Sequence, residues 1–125
     1  MDKQQLQLRT KQFALRVFKL IDSLPSTAVG RAIASQLVRS ATSVGANYRA
    51  ACRARSHAEF TAKLGTVLEE ADESLYWLEL LRDGKLIPEA KISLLLGEAN
   101  ELTAILAAGR KSAAANRTSN IRHRK

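Results

Sequence analysis

Apolar residues recur at helical spacing in four separate segments of the chain. The first segment, "KQFALRVFKLIDSLP", predicts a helix with one apolar face. This face carries Phe13, Val17, Leu20, Ile21 and Leu24. Pro25 follows directly, and because proline lacks a backbone N–H it is expected to end the helix.

The second helix is predicted to begin near Thr27, whose hydroxyl can cap the free N–H groups of a first turn. Its apolar positions fall within an arc of about 100° when each residue advances by 100°. They are Ile33, Leu37, Ala41, Val44, Tyr48 and Cys52. The stretch "SHAE" at Ser56–Glu59 has the pattern of a capping box, so a third helix is predicted to start there.

The third and fourth segments are separated by "RDGKLIP". Gly84 is expected to end the third helix in a left-handed conformation, and Pro88 to open the fourth. The predicted core face of helix three consists of Phe60, Leu64, Val67, Leu68, Ala71, Leu75 and Leu78. The corresponding face of helix four consists of Ile92, Leu95, Leu96, Ala99, Leu102 and Leu106 and fades near Gly109.

Four amphipathic helices with short connections predict an all-α fold, an antiparallel up-down-up-down four-helix bundle over residues 1–110. The composition agrees, since 46% of residues are apolar and only 5% are aromatic. Residues 111–125, "KSAAANRTSNIRHRK", have little to bury and are expected to form a flexible basic tail.

Several large apolar side chains lie outside the predicted core faces. Near its end, helix three is apolar almost all round, and a helix of that kind is normally buried all round. The residues predicted to form a subunit interface are Phe18, Tyr76, Trp77, Leu80 and Leu81. The sequence therefore predicts a homo-oligomer, although an irregular bundle that covers these side chains itself remains an alternative.

Charge alternates along the chain, and this matters more than the net value of +8. Residues 1–57 contain ten bases and two acids, whereas residues 58–109 contain four bases and ten acids. From residue 110 onward there are six bases and no acid. Such a distribution favours a polyanionic partner, the backbone of RNA or DNA.

Arginines form a stripe on the polar side of helix two, within an arc of about 80°. With the bases that follow residue 109, they are the predicted phosphate contacts: Arg31, Arg39, Arg49, Arg53, Arg110, Lys111, Arg117, Arg122, Arg124 and Lys125. The alternative is that the stripe pairs with acids of helix three, within or between subunits. Those acids are Glu69, Glu70, Asp72 and Glu73. No aromatic pair is interleaved with the bases, so base-specific recognition has no support.

Residues for catalysis or metal binding are scarce. The two histidines, His57 and His123, are not at metal-ligand spacing with Cys52 or a carboxylate, so no metal, cofactor or enzymatic activity is expected. A single cysteine, no charged-then-apolar leader and no apolar run of about 18 residues predict a cytoplasmic protein without a membrane partner. Cys52 continues the core spacing of helix two and is expected to be buried.

The segment "QLVRSATSVGANYRAACRARSHAEFTAKLGTVLEEADESLYWLELL" resembles a bacterial family of four-helix-bundle proteins. The family is named for open reading frames in intervening sequences of 23S rRNA genes. Ser43, Ala46 and Asn47, followed by Arg55-Ser56 and Glu59-Phe60, carry the resemblance, which covers roughly residues 12–110. This chain has Gly45 where the family often has proline, and Ala50-Ala51 where a Glu-Gly pair is usual.

The resemblance implies a bundle that assembles into rings, typically of five subunits. Related proteins are accessory factors of diversity-generating retroelements, in which a basic barrel binds nucleic acid and a reverse transcriptase. The resulting hypothesis is a non-enzymatic nucleic-acid-binding scaffold or accessory protein, with RNA preferred over DNA and a reverse transcriptase as a candidate partner. The alternative is a protein-interaction scaffold whose arginine stripe serves subunit assembly, with no direct nucleic-acid role.

Overall fold

Four α-helices and no strand make up the described part of the chain. The structure, a computed structural model, describes residues 1–123, with side chains as far as Asn116. The helices are α1 (Lys3–Ile21), α2 (Ala28–Cys52), α3 (His57–Asp83) and α4 (Glu89–His123). The predicted all-α class is therefore confirmed.

α1 begins several residues earlier than the hydrophobic pattern indicates. The Asp2 carboxylate accepts a hydrogen bond from the Gln5 backbone N–H at 2.8 Å, and the Gln5 side chain accepts one from the Asp2 N–H at 2.9 Å. This reciprocal capping box satisfies two N–H groups that would otherwise lack a partner. The first turns also reach the core, because Leu6 and Thr10 are buried. Glutamines dilute the apolar signal there, so the sequence pattern misses this part of the helix.

The predicted caps of α2 and α3 are both present. The Thr27 hydroxyl accepts from the Gly30 N–H at 3.1 Å, and the Ser56 hydroxyl accepts from the Glu59 N–H at 3.1 Å. The Glu59 carboxylate bonds the backbone N–H of Arg55, at 3.4 Å, rather than that of Ser56. The capping box predicted from "SHAE" is therefore half formed, and its glutamate reaches one residue further back.

The turn after α3 differs from the prediction by one residue. Gly84 has φ −77°, so the expected left-handed glycine is wrong, and Lys85 takes the left-handed conformation at φ 57°. The N–H of Leu86 donates to the Leu81 carbonyl and that of Lys85 to the Arg82 carbonyl, both at 3.0 Å. These two bonds define a Schellman motif in which the position after the cap is left-handed.

One hydrophobic core joins all four helices. All six predicted core residues of helix four are buried, as are Leu37, Ala41, Val44 and Tyr48 of α2. Leu81 is also fully buried, so its prediction as a subunit contact is wrong. The helical wheel places Leu81 off the main face of α3, but the core extends around α3 near its end and includes Ile87 of the following turn.

Each helix packs against the next, and α1 also packs against α4. Between α2 and α3, the buried Ser74 hydroxyl donates to the Ser40 hydroxyl at 2.8 Å. Between α1 and α4, Arg9 makes two hydrogen bonds to the Glu98 carboxylate, at 2.9 and 2.7 Å. The contacts close the four helices into a bundle around the core.

α4 continues to His123 instead of ending near Gly109, so the predicted end of this helix is wrong. Alanines surround Gly109, and their high helix propensity outweighs the cost of about 1 kcal/mol for one glycine. Ala113 is buried, so contacts with the bundle extend past residue 110. The flexibility predicted for residues 111–125 stays a prediction.

α4 also has the length and composition of a membrane-spanning helix over Glu89–Asn116, where mean hydropathy reaches 1.2. The sequence did not predict this feature, because it contains no uninterrupted apolar run of about 18 residues. Most of the large apolar residues of α4, however, lie on one face that is buried in the core, whereas Leu94 is exposed. A core helix of a bundle passes the same test of length and composition, so this feature is weak evidence for a membrane.

Candidate nucleic-acid interface

The four predicted arginines of α2 are exposed but widely separated. Arg31 and Arg53 are 22 residues apart, which corresponds to about 33 Å along a helix at 1.5 Å per residue. The arginines are thus spread along the whole helix and lie in different environments, so the stripe is not one continuous site.

Arg39, in the middle of α2, pairs with the acidic helix of its own chain. Its guanidinium lies 3.4 Å from a Glu70 carboxylate oxygen and also contacts the Glu73 carboxylate. Of the two interpretations of the stripe, intrachain pairing thus describes this residue. A guanidinium shared by two carboxylates is less available to phosphate.

Arg31, near the start of α2, donates to the Ser26 carbonyl at 3.0 Å. The arginines at the other end of the helix differ from both Arg31 and Arg39. Arg49, Arg53 and Arg55 form no hydrogen bond or ion pair through their guanidinium groups within the described part of the chain. These three guanidinium groups remain free to donate hydrogen bonds to a phosphate.

Two contacts and the end of α2 place parts of all four helices at the same end of the molecule. The Lys3 ammonium lies 4.6 Å from the centroid of the Phe60 ring, which joins the start of α1 to the start of α3. His57 Nε2 is 2.7 Å from the carbonyl oxygen of Ala113, which joins α3 to the later part of α4. α2 also ends there, at Cys52, five residues before His57.

Arg110 reaches this end because α3 has a glycine opposite it. A Cβ on Gly65 would lie 3.0 Å from Arg110 Nε and 3.2 Å from Nη2, so the guanidinium packs directly on the α3 backbone. Gly65 is buried although it carries no side chain. The glycine thus makes room for a base of α4, a role that nothing in the local sequence reveals.

We call the resulting cluster the basic end. It consists of exposed bases from α1, from α2 and the turn that follows it, and from α4: Lys3, Arg49, Arg53, Arg55, Arg110 and Lys111. None of these side chains forms an ion pair among the residues described. The cluster presents uncompensated positive charge at one end of the bundle.

Two nearby carboxylates offset only part of the charge of the basic end. Asp2 is engaged in capping α1, and Glu59 accepts from the Arg55 backbone N–H. Glu59 also lies 4.0 Å from Lys63, one turn further along α3. Both carboxylates are thus held at helix starts, where backbone N–H groups favour negative charge.

Sequence reasoning predicted four of these six bases and missed two. Lys3 was missed because α1 begins before the apolar pattern does, and Arg55 because it lies beyond the arc of the α2 stripe. Its position in the sequence nevertheless indicates Arg55, because it follows Arg49 and Arg53 just after the end of α2. The predicted contacts Arg117, Arg122, Arg124 and Lys125 have side chains outside the described residues.

The predicted subunit contacts differ in exposure. Phe18 and Tyr76 are exposed, with 43% and 53% of their surface accessible, whereas Trp77 and Leu80 are half-buried. The Trp77 ring lies edge-on to Tyr76 at 5.3 Å, and its Nε1–H is buried without a hydrogen-bond partner. Within the predicted set, Phe18 and Tyr76 therefore expose the most surface for contact with another molecule.

Groups capable of acid–base or metal chemistry are not clustered. Within the described residues, no three His, Cys, Asp or Glu side chains lie close enough together to hold a metal ion. Cys52 is half-buried against the core, where it was expected to be fully buried. Burial, followed by a hydrogen bond with Cys52, raises the pKa of the neighbouring Tyr48 hydroxyl, which therefore stays neutral.

Comparison with known proteins gives one family and a solved relative. The family model described as 23S rRNA-intervening sequence protein matches residues 3–108. A crystal structure described as a protein with unknown function from the S23 ribosomal protein family of Bacteroides thetaiotaomicron VPI-5482 is similar to this chain. It is 32% identical, with a TM-score of 0.80, and the match covers 89% of this chain and 99% of that one. A search of the curated proteins found no match.

Proposed function

Because this chain belongs to the 23S rRNA-intervening sequence protein family, we propose that it is a non-enzymatic, oligomeric protein that binds the backbone of nucleic acids. RNA is the preferred ligand, and the role is that of a scaffold or accessory protein. The charge distribution supports a polyanionic ligand, RNA or DNA, and the preference for RNA is part of the proposal.

The basic end is the observation that carries this proposal. Six exposed bases from three helices and one turn converge there, and their side chains have no ion-pair partner among the described residues. Such a cluster binds phosphates and releases the counterions condensed on the nucleic acid. Phe60 is covered by Lys3 there, and no described arginine of the basic end stacks on an aromatic ring, so contact with the backbone is favoured over the reading of bases.

We also propose the finer architecture, an up-down-up-down bundle that assembles into a ring of five subunits. The up-down order is supported by the contact of His57, at the start of α3, with Ala113, in the later part of α4. Assembly is supported by the exposed aromatic side chains of Phe18 and Tyr76. The number five, like a reverse transcriptase partner, rests on the family resemblance alone, and a cytoplasmic location on the sequence.

A second function, a protein-interaction scaffold without a nucleic-acid role, is favoured by the pairing of Arg39. Its contacts with Glu70 and Glu73 show that acids of α3 can occupy an arginine of the stripe. If acids of α3 in one subunit paired in the same way with arginines of another, those arginines would stabilise the oligomer. The two functions differ in what binds Arg49, Arg53 and Arg55.

Binding of a fluorescent structured RNA separates these functions. The test variant combines Arg49→Gln, Arg53→Gln and Arg55→Gln, which removes three charges of the basic end and retains side-chain length. We expect its dissociation constant to rise by about tenfold to a hundredfold at physiological salt, because three phosphate contacts are lost. Fluorescence anisotropy measures the change.

Arg39→Gln is the matched control, since it removes one exposed arginine of the same helix that is already paired. It is expected to change the affinity by less than about threefold, because an exposed ion pair contributes little. Equal affinities for the wild type and the triple variant would contradict the proposal. A wild type that does not bind RNA, together with loss of the oligomer in the triple variant, would support the second function instead.

A further inference from the structure

An open groove runs along the outer side of α1 and α2. It has a volume of about 560 Å³ and follows α1 from Gln4 to Phe18. At 1.5 Å per residue, this is about 21 Å, the length of almost four helical turns. The floor lies where Gly45 of α2 approaches Thr10 of α1, so closely that a Cβ on the glycine would be 3.4 Å from the Thr10 hydroxyl oxygen.

The groove is apolar, with bases at its edge. Leu8, Leu15 and Phe18 contribute exposed side chains, with 56%, 53% and 43% of their surface accessible. Lys11 and Arg49 are the charged residues of its lining, which contains no acid. A surface of this kind fits an amphipathic helix that carries a large apolar side chain and carboxylates.

The outer face of α3 has those properties. Glu69, Asp72 and Tyr76 lie within an arc of about 60° at 100° per residue, and all three are exposed. Neither carboxylate forms an ion pair with another described residue. Tyr76 is the large exposed apolar side chain of this helix. The acidic face of α3 and the basic-edged groove are complementary in charge and in shape.

We infer that the outer face of α3 of one copy binds in the α1–α2 groove of a second copy. Tyr76 packs against Leu15 and Phe18, while Glu69 and Asp72 approach Lys11, so that Arg49 stays available to phosphate at the basic end. The inference rests on the self-association in the proposed function and names the two surfaces that perform it. It also divides the predicted interface, since Phe18 belongs to the groove and Tyr76 to the helix that fills it.

This contact joins two different surfaces, so each copy has one groove to fill and one face to offer. An interface of this type repeats from copy to copy, and it closes into a ring when the rotation between copies allows it. A contact of the groove with another groove would instead stop at two copies. The distinction gives the inference a test that does not depend on the number of subunits.

Two substitutions block one surface each. Leu15→Glu places a carboxylate in the groove, and Tyr76→Arg places a base on the face of α3. Both residues are exposed, so the fold is expected to persist, and circular dichroism with thermal melting checks this. Neither residue belongs to the basic end, so RNA binding by a single chain is unaffected.

Gel filtration with light scattering gives the mass. Wild type is expected to form an oligomer, and each variant alone is expected to fall to the mass of one chain, 13.7 kDa. A mixture of the two variants is expected to associate again, because an intact α3 face from one meets an intact groove from the other. Leu8→Glu serves as a second groove variant if Leu15→Glu does not fold.

Leu94→Glu is the control, since Leu94 is an exposed apolar residue of α4, outside both surfaces. Its mass is expected to equal that of wild type. The inference is overturned if wild type is an oligomer that either variant leaves intact, or if the mixed variants stay monomeric. A monomeric wild type overturns it as well and removes self-association from the proposed function, whereas RNA binding is decided separately by the variants of the basic end.

Discussion

Lys85 has a φ of 57°, a conformation that costs an ordinary L-residue roughly 1–2 kcal/mol and glycine almost nothing. The Schellman motif after α3 imposes it, because the position after the helix cap must be left-handed. Sequence alone indicated that "RDGKLIP" ends a helix. It could not decide which residue becomes left-handed, since that depends on how the turn packs against Leu80 and Leu86.

Lys85→Gly is therefore expected to stabilise the protein by about 0.5–1 kcal/mol, a gain reduced by the extra freedom of glycine in the unfolded chain. Gly84→Ala is expected to have the opposite sign and to cost about 1–3 kcal/mol, because a Cβ there would lie 2.8 Å from Leu86 Cδ1 and 2.9 Å from the Leu80 carbonyl oxygen. Urea unfolding measures both values. A stabilising Gly84→Ala would show that the turn is formed differently.

At the scale of the helices, the contact between α1 and α4 contains a half-buried ion pair. Arg9 binds the Glu98 carboxylate through two nitrogens and also lies 3.0 Å from Glu101. The hydrogen bond from Arg9 lowers the pKa of Glu98, against an opposing effect of burial. A carboxylate whose pKa is depressed by folding stabilises the protein above its unfolded pKa, and the stabilisation is lost as the pH falls through the folded value.

Glu98→Gln is accordingly expected to cost about 1–2 kcal/mol at pH 7 and progressively less as the pH falls through the lowered pKa of Glu98. Urea unfolding between pH 7 and pH 3 measures the difference. Glu101→Gln is the control, because Glu101 is well exposed and contacts the same arginine, and it is expected to cost less than about 0.5 kcal/mol. A pH-independent difference between wild type and Glu98→Gln would contradict this assignment.

The sequence predicted the helices best where apolar spacing is unbroken. The core faces of α2 and α4 follow from periodicity alone, since one face of each helix meets the core. The extent of α1 and α4 did not follow, because a polar capping box begins one helix and alanines extend the other. Periodicity reports burial, and these end segments bury few side chains.

For the whole molecule, the order of charge along the chain was visible in the sequence, but its place in space was not. A wheel of α2 groups its arginines by angle, whereas the fold pairs Arg39 with α3 and leaves Arg49 and Arg53 beside bases from other helices. Contacts between distant segments, such as His57 with Ala113, decide which bases come together. The basic end is a property of the bundle, and no single helix contains it.

The salt dependence of RNA binding tests the central claim most directly. If all six bases contact phosphates, the logarithm of the association constant is expected to fall with the logarithm of salt concentration at a slope of about −4 to −5. Combining Arg49→Gln, Arg53→Gln and Arg55→Gln is expected to make the slope shallower by about 2–3. A wild-type slope near zero, or one unchanged in the triple variant, would contradict phosphate binding at the basic end.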